Sequence, residues 1–204
     1  MGTAGPVCSD EAFDYDPQSF ITNGVGGTFT WSAAYDTGLT GGATTGTANI
    51  AETLTNLTTD PLTATYTVIP TGGTCVGSAY DVVVTINPEP VAANATESNI
   101  CSDESFNFDP QAYITNAVGS TFAWTATYDA GLTCGASTGT GSINEALNNT
   151  TTGTQLNATY TVTPTSLDGC TGSDFTVTVT VDPQPQPTLN GVTALCAGQD
   201  EIYT

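Results

Sequence analysis

Phe175-Thr176-Val177-Thr178-Val179-Thr180-Val181 alternates a bulky apolar side chain with threonine over seven residues. A period of two puts Phe and Val on one face and Thr on the other, which is a strand with one dry and one wet side. β-Branched residues are stiff at χ1 and sit better on a pleated surface than on a helix. Working outward, Phe29, Trp31, Ala33 and Tyr35 alternate with Thr28, Thr30, Ser32 and Ala34 and predict another strand. Residues 64–69 and 80–86 read the same way, the first ended by Pro70-Thr71-Gly72-Gly73 and the second by Asn87-Pro88-Glu89-Pro90. In residues 50–57, Ile50 and Leu54 fit a helical spacing but the surrounding Thr and Asn favour strand or turn, and the stretch is read as strand. The expected class is all-β, built of immunoglobulin-like β-sandwiches.

The pattern occurs twice. Residues 8–52 lie over 101–145 without a gap and are identical at 29 of 45 positions, so the chain is duplicated. Cys8-Ser9-Asp10-Glu11 returns as Cys101-Ser102-Asp103-Glu104, Ala64-Thr65-Tyr66-Thr67-Val68 as Ala158-Thr159-Tyr160-Thr161-Val162, and Cys75 as Cys170. Leu195-Cys196-Ala197-Gly198 restarts the pattern, giving periods of 93 and 95 residues, the size of one sandwich. The expected organisation is a first repeat over 1–90, a second over 91–187, and over 188–204 either the opening strand of a third repeat or a strand donated to a neighbour. The proline-rich segments 87–90 and 182–187 read as short, stiff, extended linkers.

Composition removes several functions. The chain has no Lys, Arg or His against 20 acidic residues. Such a surface repels polyanions, so nucleic acid is excluded as a partner, and anionic membrane surfaces with it. No apolar run reaches the roughly 20 residues that span a bilayer. Acid–base catalysis is left with carboxylates alone, and the chain is expected not to be an enzyme. No intramolecular side-chain salt bridge can form, so each carboxylate must be solvated, hydrogen-bonded or held by a metal ion. Met1-Gly2-Thr3-Ala4-Gly5 has neither a basic start nor an apolar core, which places any export signal upstream in a precursor.

The cysteines point to an oxidising compartment. Each full repeat has one before its first strand region and one between its last two strands. This arrangement predicts Cys8 bonded to Cys75 and Cys101 to Cys170, each bridge contributing about 4 kcal/mol on a chain-entropy model. No CxxC spacing or histidine supports zinc. Cys134 and Cys196 are left over, unpaired or intermolecular. Either the polypeptide continues to a partner for Cys196, or the tail completes a neighbouring molecule, residues 188–195 filling a sheet edge by strand addition. The expected partners are therefore neighbouring copies of the chain or further repeats of it. Trp31 and Trp124 read as core residues, with sugar stacking as the sharper alternative.

Asp10, Glu11, Asp14 and Asp16, with Asp103, Glu104 and Asp109 in the second copy, form the candidate ligand set. Oxygen ligands at this density suit Ca²⁺, and the competing reading is a solvated acidic edge. Asp36 and Asp129 add a ligand or shape a turn. Asn56-Leu57-Thr58, Asn94-Ala95-Thr96 and Asn157-Ala158-Thr159 fit the N-glycosylation pattern, as chance predicts in a chain rich in Asn and Thr.

Cys101-Ser102, Thr121-Phe122-Ala123-Trp124, residues 158–164, Gly169-Cys170-Thr171-Gly172 and residues 177–183 together resemble the PKD-like, immunoglobulin-type repeats of large Bacteroidetes surface proteins, gliding-motility adhesins among them. The resemblance implies secretion to the cell surface by the type IX route and a role as stalk, adhesin or filament. Cys134 and the absence of lysine depart from that pattern. Two functions compete: a structural, disulfide-stabilised rod in an extracellular adhesin or fibre, and a Ca²⁺-dependent carbohydrate- or ligand-binding module. Whole-domain repetition favours the rod, because a spacer gains length from every copy.

Overall fold

The computed structural model describes residues 2–185, and within them the chain is all-β apart from two single-turn 3₁₀ segments, Pro17–Phe20 and Pro110–Tyr113. The first repeat runs β1 (Gly2–Cys8), β2 (Ala12–Tyr15), β3 (Thr28–Tyr35), β4 (Leu39–Thr40), β5 (Thr45–Thr47), β6 (Ile50–Thr53), β7 (Thr55–Asn56), β8 (Leu62–Gly72), β9 (Cys75–Val76) and β10 (Tyr80–Asn87). The second runs β11 (Ala95–Thr96), β12 (Ile100–Cys101), β13 (Ser105–Phe108), β14 (Ser120–Tyr128), β15 (Leu132–Thr133), β16 (Thr138–Thr140), β17 (Ile143–Ala146), β18 (Asn148–Asn149), β19 (Leu156–Ser166) and β20 (Phe175–Asp182).

Each repeat has a main sheet, ordered β1-β10-β8-β3-β5 in the first and β11-β20-β19-β14-β16 in the second, where β12 also pairs β20. The pairs β2–β6 and β4–β7, and their counterparts β13–β17 and β15–β18, make the opposing layer. The alternation read in the sequence is the alternation observed: Val177, Val179 and Val181 are fully buried, and the threonines between them are half-exposed. The inward faces form two separate cores, one around Ile50, Leu54, Tyr66, Val68, Val82, Val84 and Ile86, the other around Ile143, Leu147, Tyr160, Val162, Val177, Val179 and Val181. At some 1.5–3 kcal/mol for each large apolar side chain removed from water, these faces hold each sandwich together. Trp31 and Trp124 lie in the cores, each edge-on to the central tyrosine, Tyr66 or Tyr160. Gly46 and Gly139 lie against the indoles so closely that a Cβ at either would run into the ring.

Three expectations change. The strand expected over 64–69 continues through Pro70 to Gly72. The β10 partner register ends at Tyr80 opposite Val68, so β10 asks no donor of Pro70, whose carbonyl instead accepts the Gly77 N–H at 2.8 Å. Residues 50–57 split into β6 and β7, with Leu54 buried at the break. The edge beside β10, the place that the alternative of strand addition by residues 188–195 of another molecule would fill, is held by β1, which runs parallel to β10 from Gly2 opposite Val82 to Cys8 opposite Asn87. The tail itself, with Cys196, lies outside the described residues.

The disulfide expectation is overturned. Cys8 is bonded to Cys170, in the other repeat, with Cα atoms 5.6 Å apart, while Cys75, Cys101 and Cys134 are free thiols on the surface. Register gives the reason. Cys8 sits opposite Asn87, beside the Leu62 end of β8, whereas Cys75 sits opposite Gly72 at its other end. Eleven residues of strand separate the two by roughly 33 Å, far beyond the Cα spacing of about 7 Å that a bridge tolerates. Cys101 and Cys170 are held apart the same way by β19, since Cys101 lies opposite Asp182 at the Leu156 end and Cys170 against Ser166. Placing a cysteine at each end of a sandwich permits no bridge within it and one bridge between consecutive sandwiches.

Candidate functional site

The junction between the repeats is the most elaborated feature of the molecule. The chain leaves β10 at Asn87, passes through Pro88-Glu89-Pro90, and lays residues 91–93 along the 3₁₀ segment of the second repeat. Proline fixes φ and offers no N–H, so this segment is pre-set to be extended. Its remaining polar groups are paired across the junction: Val91 N–H donates to Asn116 Oδ1 at 3.0 Å, Asn116 Nδ2 donates to Glu89 O at 2.7 Å, and Thr115 N–H donates to Val91 O at 2.7 Å. Ala93 N–H reaches Tyr113 O at 3.2 Å, and Ala92 bridges Ile114. Pro88 and Pro90 are buried, and a Cβ on Gly172 would collide with the Pro90 carbonyl. Asn87 Nδ2 donates to Asp168 O at 3.4 Å, and beside this contact Cys170, with no exposed surface, is bonded to Cys8. The linker read as a spacer is thus a packed seam with a covalent clamp. In this seam the Glu89 carboxyl is pushed up by partial burial and then by the negative charges of Asp10 and Glu11.

The acidic residues expected to gather around Ca²⁺ are distributed along the backbone. Glu11 Oε2 accepts the Cys8 N–H at 3.1 Å and Glu104 Oε2 the Cys101 N–H at 3.0 Å. Asp16 and Asp109 cap the 3₁₀ segments, accepting the N–H of Gln18 at 2.9 Å and of Gln111 at 3.1 Å. Asp14 accepts from Asn49 Nδ2 at 2.9 Å, Asp103 from Asn148 Nδ2 at 2.8 Å, and Asp10 from the Thr55 hydroxyl. Asp10 and Asp103 have φ of 61° and 64°, the left-handed turn conformation that Asp tolerates better than most side chains. No group of three or more ligating side chains with metal-site spacing exists among the described residues. In a chain without side-chain cations, backbone N–H and amide donors take the place of salt bridges. Asp36 shows the same chemistry: two bonds from Thr63, N–H at 2.9 Å and hydroxyl at 2.7 Å, hold its carboxyl below the usual range. Asp129 likewise accepts the Asn157 N–H at 2.8 Å.

Sequence reading missed two polar networks, one that fixes an end of each sandwich and one beside the central tyrosine of the second. Buried Asn149 donates through Nδ2 to Val181 O at 2.8 Å and Thr154 O at 2.9 Å, and its Oδ1 accepts from Thr151 N–H and hydroxyl at 2.9 and 2.7 Å. Its own N–H donates to the buried Ser102 hydroxyl at 2.9 Å. Asn56, Thr58, Ile86 and Ser9 repeat this arrangement in the first sandwich, so the asparagine of the Asn56-Leu57-Thr58 sequon is a buried turn anchor. In the second network, Glu145 accepts from Tyr160 Oη at 2.6 Å and from Ala136 N–H at 2.7 Å, with Tyr128 Oη at 3.0 Å. Burial first, and then this carboxylate, push the Tyr160 phenol far up and that of Tyr128 to about 12. Identity of these residues between the two copies was the available signal.

The fold and the junction define a class: consecutive β-sandwich modules joined end to end through a buried linker. The PKD-like domain profile matches residues 5–90 and 98–185, and the chain belongs to that family in two tandem copies. No curated protein sequence matches it. Among solved structures it is similar to the fibronectin(III)-like modules of Clostridium thermocellum CbhA (13% identity over 89% of this chain and 91% of that one, TM-score 0.32). It is also similar to CfaE, the adhesive subunit of CFA/I fimbria of enterotoxigenic Escherichia coli (9%, 84% and 77%, TM-score 0.28). A third is the endo-fucoidan hydrolase MfFcnA4 of glycoside hydrolase family 107 (12%, TM-score 0.31), where 90% of this chain spans 28% of the length of that one. No helix among the described residues is long and apolar enough to cross a membrane.

Proposed function

We propose that the chain is a load-carrying spacer of an extracellular surface adhesin or fibre, in which PKD-like sandwiches are locked end to end into a rod. The observation that carries this reading is the Cys8–Cys170 bridge, because it joins two modules that already have separate cores and so serves their relative placement. A disulfide of this kind belongs in an oxidising, extracellular setting. Membership of a family of β-sandwich modules supports a non-catalytic role, as does a composition without His, Lys or Arg. Small-angle scattering tests the proposal. Two strand lengths end to end give a radius of gyration of roughly 24 Å, against about 17 Å for a compact body of this length. The oxidised protein is expected near the larger value, and reduction is expected to broaden the distance distribution. A compact particle, or one indifferent to reduction, would overturn the rod.

A further inference from the structure

The end of the first repeat that carries Cys75 is the counterpart of the end of the second repeat that is sealed in the junction. Matching the copies pairs Ile21 with Ile114, Asn23 with Asn116, Val25 with Val118, Cys75 with Cys170 and Tyr80 with Phe175. In the second repeat Ile114, Val118, Cys170 and Phe175 are all buried under or beside the linker. In the first, Val25 is 53% exposed against 2% for Val118, Cys75 is exposed, and Ile21 and Tyr80 are half-buried. These residues, with Phe20, Phe29 and Val76, line an open cavity of about 450 Å³. Val76, at its rim, is 71% exposed. The local fold is the same at both ends: Gly77 N–H donates to Pro70 O at 2.8 Å, and Gly172 N–H to Pro164 O at 3.0 Å.

The opposite half of the junction is also present twice. Cys101 is held as Cys8 is, its N–H on Glu104 and the neighbouring Ser102 N–H on Asp182 O at 2.8 Å, matching Ser9 on Asn87 O at 2.8 Å. Asp182-Pro183-Gln184-Pro185 follows β20 as Asn87-Pro88-Glu89-Pro90 follows β10. Gln184 stands where Glu89 stands, so the charge that crowds Asp10 and Glu11 has no counterpart beside Asp103 and Glu104. The molecule thus exposes one donor half and one acceptor half of a junction whose complete form it contains.

We propose that these halves join head to tail between copies of this chain: Pro183-Gln184-Pro185 of one copy leads onto the Cys75 cavity of the next, and Cys101 of the first bonds to Cys75 of the second. The strand position beside β10 is already held by β1, so only the proline segment and the thiol have to be supplied. The bond forms by exchange with a small-molecule disulfide oxidant: the two thiols lose two electrons and two protons, and the oxidant is reduced to two thiols. This inference rests on the spacer reading but fails separately from it, because scattering from a monomeric variant tests the rod without any contact between copies.

The test is incubation of the full chain at high concentration in a glutathione redox buffer, read by non-reducing electrophoresis and peptide mass spectrometry. A ladder in steps of 20.7 kDa is expected, with Cys101–Cys75 as the new linkage. Cys101→Ser and Cys75→Ser are each expected to abolish it, and their equimolar mixture to stop at the dimer, since one variant retains only the donor and the other only the acceptor. Cys134→Ser and Cys196→Ser are expected to retain it. Val25→Asp with Val76→Asp, which charges the cavity without touching the thiols, is expected to slow the ladder at least tenfold. Persistence of the ladder in Cys101→Ser or Cys75→Ser, dependence on Cys134 or Cys196, indifference to the cavity charges, or a monomer with both thiols still titratable would each overturn the proposal.

Discussion

Replacing Asn149 by alanine withdraws four hydrogen bonds at one end of the second sandwich, and the cost follows from where their partners lie. Val181 is fully buried, so its carbonyl loses a partner that water cannot supply, while Thr151 can still turn its hydroxyl to Thr154 O, 2.8 Å away. One buried unpaired carbonyl and two weakened turn contacts amount to about 3 kcal/mol. With a urea slope of about 1–1.5 kcal/mol/M for a domain of this size, the midpoint of the second repeat falls by roughly 2–3 M. Pulsed hydrogen exchange along a urea series, resolved into peptides, assigns the shift to a repeat. Only peptides of the second repeat are expected to move that far, and Asn56→Ala is expected to produce the mirror result. A shift below about 0.5 M, or an equal shift in both repeats, would refute the assignment of Asn149 as the anchor of its own sandwich.

Gly139→Ala drives a methyl into the Trp124 indole and is expected to cost about 1–3 kcal/mol, the scale of overpacking a filled core, with a shifted Trp fluorescence maximum; an unchanged spectrum and melting temperature would contradict the packing. A raised Glu89 pKa means that the folded state holds this proton more tightly than the unfolded one, so its ionisation is a cost at neutral pH that is relieved as pH falls from its shifted value toward the ordinary carboxylate range. Glu89→Gln is therefore expected to raise the melting temperature at pH 7, with the advantage vanishing in acid, and a lower melting temperature at pH 7 would contradict it. With a net charge of −20 and no side-chain cation, the fold repels itself, and screening within about 10 Å at 0.1 M salt is expected to raise the melting temperature between 10 and 200 mM NaCl; a fall would show that attractive electrostatics dominate.

The dry and wet faces of β3, β8, β10 and β20 were legible because a strand writes its burial into every second residue. The cores around Trp31 and Trp124 followed from the same pattern. The cysteine pairing was not legible, because one cysteine per strand region fits a bridge within a domain or between domains equally well; register, which sets Cys8 and Cys75 at opposite ends of β8, decides between them. The acidic cluster misled for a related reason. Nearness in sequence does not bring Asp10, Asp14 and Asp16 to one point when a turn, a strand and a 3₁₀ cap direct their carboxylates at three different donors, the Thr55 hydroxyl, the Asn49 amide and the Gln18 N–H. Asn149 and Glu145 were hidden because their partners, Val181 and Tyr160, are distant in sequence, though their identity between the copies marked them.

The clamp between repeats is tested most directly by mapping the bridge. With no lysine or arginine to cut at, cleavage at the acidic residues under non-reducing, thiol-blocked conditions followed by mass spectrometry yields the linked peptides. A Cys8 peptide joined to a Cys170 peptide, with Cys75 and Cys101 alkylated in the monomer, is the predicted result. Cys8 joined to Cys75, or Cys101 to Cys170, would contradict the account.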